Sequence, residues 1–137
     1  MAHVAQPYSI STTSTRTFPR RVFSIAGWYG LIVMLPQYFL EAKIGRDYPP
    51  AITHPENFYG FIGITIAWQL LFLVIARDPV RYRTAMLPAV VEKLSFVIAV
   101  AVLYLQGRVA PVVLAPTAID MVLGILFIAS YRATPSS

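Results

Sequence analysis

Residues 109–131 read VAPVVLAPTAIDMVLGILFIASY, an apolar run interrupted near its middle by one carboxylate, Asp120. About 20 apolar residues suffice for a helix to cross a hydrocarbon layer of about 30 Å. Lipid offers no partner to backbone N–H and C=O groups, so such a run must close its hydrogen bonds within a helix or within a closed barrel. The run lacks the apolar–polar alternation of a barrel strand and is therefore read as a membrane helix. An ionisable group at that depth costs at least a few kcal/mol unless it is paired, hydrated or protonated. Asp120 is the first candidate site residue for that reason.

Three similar runs precede it, at residues 22–40, 58–76 and 86–106. The expected fold is all-α, an integral membrane four-helix bundle over residues 22–132. A flexible polar arm at 1–21 is rich in Ser and Thr, and a short tail occupies 133–137. The 137 residues are 57% hydrophobic and only 12% charged, with a mean hydropathy of +0.64. Soluble domains are nearer a quarter charged, and little chain is left here for a soluble catalytic domain. The arginines before residue 22 superficially resemble the flank of a signal peptide. The run that follows is too long for one and has no clear small-residue cleavage site, so it is expected to stay as the first helix. The brief connection at 107–109 predicts that the last two helices are antiparallel neighbours.

The net charge is +5. Its basic residues flank apolar segments rather than forming a patch interleaved with aromatics, which argues against nucleic acid as a partner. Arg16, Arg20 and Arg21, then Arg77, Arg81 and Arg83, then Arg132 fall on one side of the membrane. Lys43 and Arg46, diluted by Glu41, Asp47 and Glu56, fall on the other with Arg108. The positive-inside bias places both termini in the cytoplasm of a bacterial inner membrane. Arg77, Arg81 and Arg83 form an expected docking surface for anionic lipid or for an acidic face of another membrane subunit. The absence of cysteine excludes thiolate chemistry and iron–sulfur clusters. No Walker loop, dinucleotide fingerprint, H-E-x-x-H or G-x-S-x-G occurs, so no reaction motif supports catalysis.

Pro116, Thr117 and Gly124 lie at i−4, i−3 and i+4 from Asp120, which turns the carboxylate toward the bundle. Glu92 shares a helical face with Ser95 and Ala99. Lys93 is able to meet Asp120 or to snorkel to the headgroups, and Arg83 is an alternative partner for Glu92. Two readings stand: ion pairs that lock helices together, or a polar pocket formed by Gln69, Glu92, Lys93 and Asp120, with Thr65 beside Gln69. Ala26 and Gly30, and Gly63 and Ala67, are four apart and predict where the first two helices pack. Thr53 and Glu56 read as a capping box around Pro55. His54, with Asp47 and Glu56 nearby, is a possible metal or pigment ligand at the outer interface, and Asn57 is a second pigment candidate. Trp28, Tyr29, Tyr38, Tyr48, Phe58, Tyr59 and Tyr131 read as interfacial or packing aromatics.

With Phe58-Tyr-Gly-Phe61 opening the second helix, Leu87-Pro-Ala-Val-Val-Glu-Lys-Leu94 opening the third and Ile119-Asp120 in the fourth, residues 22–131 resemble the small bacterial DoxX-like membrane proteins. The founding members of that group are associated with a quinone-reducing enzyme. The resemblance implies a place in membrane redox complexes and emphasises Glu92 and Asp120. The expected role is a non-catalytic accessory subunit of a larger photosynthetic or respiratory electron-transfer complex. The alternative is a small-molecule or quinone-binding protein with a buried carboxylate pocket. Expected companions are lipid, quinone or a chlorophyll-type pigment at the periphery.

Overall fold

Pro19, Val22, Phe23 and Ala26 fall at i, i+3, i+4 and i+7, the spacing that puts four side chains on one helical face. All four are buried. The computed structural model, which describes residues 11–136, carries them on a single helix, α1 (Ser11–Met34). Residues 11–21, expected within the flexible arm, are thus the opening turns of α1, and the remainder of that arm lies outside the described residues. Composition conceals this start, because the buried stripe that extends the helix begins among polar neighbours. α1 tightens into a 3₁₀ turn at Leu35–Phe39, where Pro36 has no N–H to continue the ladder and disfavours a helical Leu35.

The first connection folds into a short helix not expected from the sequence, α2 (Glu41–Asp47). A Lys43–Asp47 ion pair at i,i+4 braces it. The Tyr59 hydroxyl donates to Glu41 Oε2 at 2.7 Å, and the Tyr38 and Tyr59 rings stack at 5.9 Å. α3 (Pro55–Arg77) follows, and its N-cap is His54, with no side-chain cap bond. The expected capping box at Thr53 does not form. The N–H groups of Asn57 and Phe58 in the first turn donate to the His54 carbonyl at 3.1 and 3.2 Å, one position later than a Thr53 cap requires. Glu56 meets the His54 ring at 3.0 Å instead.

α4 (Met86–Leu105) ends in a Schellman motif. Gly107, at φ 66°, donates to the Tyr104 carbonyl, and Arg108 donates to that of Leu103, both at 2.9 Å. The positive φ is the reason for glycine there. The chain reverses in this turn and enters α5 (Leu114–Ala133) through a 3₁₀ turn at Pro111–Val113. α4 and α5 consequently pack as the antiparallel pair that the short link predicts.

The described residues contain no strand, and four of the five helices are long and apolar enough to cross a membrane. α1 lies between α3 and α5, α4 packs on α5, and α3 and α4 barely touch. An aromatic plug closes one end of this arrangement. Phe23 and Phe127 stack at 4.2 Å, and Phe72 meets Phe127 edge-on at 5.0 Å. Ile75, Met86, Ala89 and Leu123 complete the core around them. Ile25, Ile32, Ile64, Val91, Ile98 and Ile125 are exposed, an apolar outer surface of the kind that suits lipid and is uncommon on a soluble monomer.

The α1–α3 contact runs through Ala26, Gly27 and Gly30 on α1 and through Gln69 and Leu73 on α3. Ala67, expected in that contact, is exposed, and Gly63 faces the Tyr38 hydroxyl. Spacing of four locates a face but does not tell which of two small-residue faces the partner takes.

At the plugged end, Arg83 does not pair with Glu92. Its Nε donates to the Thr134 carbonyl at 2.7 Å, and its guanidinium lies 3.9 Å from the centre of the Tyr131 ring. Arg83→Ala is expected to cost about 1–2 kcal/mol, from one charge-assisted hydrogen bond and one cation–π contact. Faster cleavage of the C-terminal tail in limited proteolysis is the measurement; an unchanged rate would show that the tie does not hold the tail.

Candidate functional site

Above the aromatic plug the gap between α3 and α4 is a cavity of about 550 Å³. That lies within the few-hundred to thousand Å³ range of small-molecule pockets. All four long helices contribute to it. Val33, Met34, Phe61, Ile64, Trp68 and Phe96 supply apolar and aromatic wall, and Gln69, Glu92, Lys93 and Asp120 supply polar groups. Thr65 also faces it.

Lys93 organises the polar side. It is buried, 5% exposed, yet its ammonium is well partnered. Nζ sits 2.9 Å from Asp120 Oδ1 and 3.3 Å from Glu92 Oε2, and 5.5 Å from the centre of the Phe72 ring. The side chain therefore does not extend outward from the protein, and joins α4 to α5 directly above the plug. Gly124 permits this. A Cβ there would lie 3.5 Å from Lys93 Cβ and 3.3 Å from the Leu94 side chain, so α5 approaches α4 closely at that level.

The trio is unequal. Glu92 Oε1 accepts a long 3.5 Å hydrogen bond from Lys93, whereas Oε2 is buried without one despite lying within ion-pair distance. Two carboxylates share one ammonium, so with all three groups ionised the floor carries an excess negative charge. A charge in a site of low dielectric repels like charge strongly. An anionic head is disfavoured there, and a neutral hydrogen-bonding or cationic head is favoured.

Gln69 is the second polar feature. It is 2% exposed, and its Nε2 donates to the Thr65 carbonyl one turn back, at 3.2 Å. Its amide occupies the space where a side chain on Gly30 would begin, so the glycine admits the glutamine into the α1–α3 seam. The Thr65 hydroxyl is itself tied to the Phe61 carbonyl at 2.8 Å.

Gln69, Glu92, Lys93 and Asp120 thus come together around one cavity. His54 is elsewhere, exposed at the start of α3 with Glu56. Asp47, a neighbour in sequence, is taken by Lys43, and among the described residues no three metal-ligating side chains gather. The three arginines of the second connection separate: Arg83 ties down the C-terminus, Arg81 lies 5.5 Å from the Tyr82 ring centre, and Arg77 faces α1 in a second, smaller cavity.

The wall residues Phe61, Trp68 and Phe96 were not foreseen. Phe61, Thr65 and Trp68 lie at i, i+4 and i+7, and Glu92, Phe96 and Ala99 repeat that spacing. Extending each polar face by one turn would have found them. No family model matches the chain, and no curated protein or solved structure matches it.

Proposed function

We propose that the chain is a multi-pass protein of the bacterial inner membrane, with both termini cytoplasmic, that binds a neutral amphipathic small molecule of the quinone class. The supporting observation is the cavity between α3 and α4. It has aromatic walls at the level where the helices are apolar outside, and a hydrogen-bonding floor of Gln69, Lys93, Glu92 and Asp120. Because α3 and α4 are barely in contact, a ligand dissolved in the bilayer enters sideways, without crossing water. Carbonyl oxygens of the head accept from Lys93 or Gln69, and the flat ring lies against Trp68, Phe61 or Phe96. The carboxylates hold the ammonium in place and are placed to exchange a proton with a reduced head. Membership of the DoxX-like group is part of this reading and rests on the motif positions around Glu92 and Asp120.

Asp120→Asn tests it. The change leaves Lys93 facing Glu92 alone, a balanced pair, so the fold is expected to survive with a loss of about 1 kcal/mol. Ligand retention is expected to fall at least tenfold, read by solvent extraction and mass spectrometry of protein purified in mild detergent. Undiminished retention, or a wild-type protein that carries no extractable small molecule from its native membrane, would overturn the proposal.

A second reading, an accessory subunit of a photosynthetic or respiratory complex, is favoured by one observation. Phe39 and Leu105 protrude at the end opposite the plug, 89% and 86% exposed, the most exposed large apolar side chains among the described residues. Stoichiometric co-purification of other subunits, lost in Phe39→Ser/Leu105→Ser, is the expected result for that role; a protein that elutes alone would rule it out.

A further inference from the structure

Arg20 and Arg21, in the opening turns of α1, and Arg77, which ends α3, converge although 56 residues separate Arg20 from its contact on α3. Arg20 Nε donates to the Ala76 carbonyl at 3.3 Å, which satisfies one of the last carbonyls of α3 and holds the guanidinium at the helix end. Arg21 and Arg77 flank it around a cavity of about 390 Å³ whose inner wall is Ser24, Trp28 and Leu73. None of the three arginines forms an ion pair among the described residues. Among those residues Arg20 is partnered only by that carbonyl, and three guanidiniums without a carboxylate in one concavity repel one another and favour an anion.

The shape of the cavity narrows the choice. Arg20, Ser24 and Trp28 are spaced at i, i+4 and i+8, and Leu73 lies one turn before Arg77, so an apolar slot runs inward from the cationic rim. Trp28 lies about 10 Å deeper than Arg21 along α1. A phosphate with a hydrocarbon chain attached matches that layout: charge at the rim, chain along the exposed Trp28 face and Leu73. The Ser24 hydroxyl, which makes no hydrogen bond among the described residues, sits between them where an ester oxygen would fall.

We infer that Arg20, Arg21 and Arg77 form a specific site for the phosphate of an anionic phospholipid, with an acyl chain lodged along Trp28 and Leu73. The site is distinct from the α3–α4 cavity and rests on the membrane placement proposed above. Its charge is opposite to that of the carboxylate-rich floor, which disfavours the phosphate there.

The test uses Arg21→Ala/Arg77→Ala, because those two side chains make no internal hydrogen bond or ion pair in the described residues and their loss leaves the Arg20–Ala76 contact intact. Protein reconstituted in nanodiscs is titrated with phosphatidylglycerol and with phosphatidylcholine, and bound lipid is counted by native mass spectrometry. Wild type is expected to hold one phosphatidylglycerol selectively, and the double variant to bind it about thirtyfold more weakly, with Arg46→Ala unchanged. Quenching of Trp28 by brominated phosphatidylglycerol in a Trp68→Phe background is expected to disappear in parallel. Equal affinity for the two lipids, or an unaffected double variant, would overturn the site. Displacement of the lipid by millimolar inorganic phosphate would overturn the lipid assignment, since the chain would then contribute nothing. Alkaline carbonate extraction checks the membrane placement separately: protein released by carbonate refutes the placement, and protein retained without lipid selectivity refutes the site alone.

Discussion

Lys93→Met is expected to lower the stability of the bundle by about 3 kcal/mol, the lower part of the range for breaking a buried ion pair by removing one partner. The reason is geometric. One ammonium, 2.9 Å from Asp120 and 3.3 Å from Glu92, neutralises two carboxylates whose side chains are each 17% exposed. Without it those carboxylates are left beside each other above an aromatic plug that offers no donor. They must move apart or draw water into the cavity, and either response costs free energy that the wild type does not spend. Unfolding in mild detergent, followed by helical circular dichroism against temperature, is the measurement. An unchanged midpoint would mean that the ion pair does not stabilise the fold.

The companion variant separates structure from binding. Lys93→Met/Glu92→Gln/Asp120→Asn removes every charge at the floor while keeping side-chain volumes close to the original. Replacement of a buried ionic cluster by neutral groups of similar size is often neutral or stabilising. The triple variant is expected to recover most of the stability lost by Lys93→Met and still to fail in ligand retention. Recovery of both properties would assign the trio to structure alone.

The long apolar runs were legible because lipid imposes one demand on every residue of a span, and a sum over a window reads it. The polar floor was legible for a related reason: a charge in such a run stands out against its surroundings, and the i+3 and i+4 neighbours of Asp120 and Glu92 point the two carboxylates the same way. The partner of each was not legible. Lys93 had two acceptable destinations, and Arg83 was a plausible mate for Glu92 until the C-terminal turn at Thr134 and Tyr131 claimed it. Such choices depend on how helices rotate about their axes and on where a terminus docks, which is set by contacts distant in sequence. The early start of α1 was hidden in the same way. Pro19 reads as a breaker in a polar segment, and only burial against the rest of the bundle, with Val22, Phe23 and Ala26 on the same face, makes the segment helical.

Gly27→Ala is the second large effect expected, and glycine position rather than glycine content carries it. A methyl group on Gly27 would lie 2.7 Å from Leu73 Cδ2 and 2.9 Å from the backbone oxygen of Gln69. Leu73 is able to turn aside, but the Gln69 carbonyl belongs to the rigid ladder of α3. The two helices must therefore separate along the seam that also seats the Gln69 amide against Gly30. Overpacking of this kind costs about 1–3 kcal/mol, and the separation also disturbs the cavity wall. Gly60→Ala is the matched control in a neighbouring helix. Nothing lies within 4 Å of its new Cβ, so the gain in helix propensity, up to about 1 kcal/mol, is unopposed. The expected outcome is a change of opposite sign for the same chemical substitution: a lower unfolding midpoint for Gly27→Ala and an equal or higher one for Gly60→Ala. Equal destabilisation at the two sites would show that backbone entropy, and not the approach of α1 to α3, governs these glycines. Because Gln69 reaches the α3–α4 cavity across the same seam, retention of the proposed ligand is expected to fall with stability at Gly27 and to stay constant at Gly60, which ties the packing of α1 on α3 to the cavity it shapes.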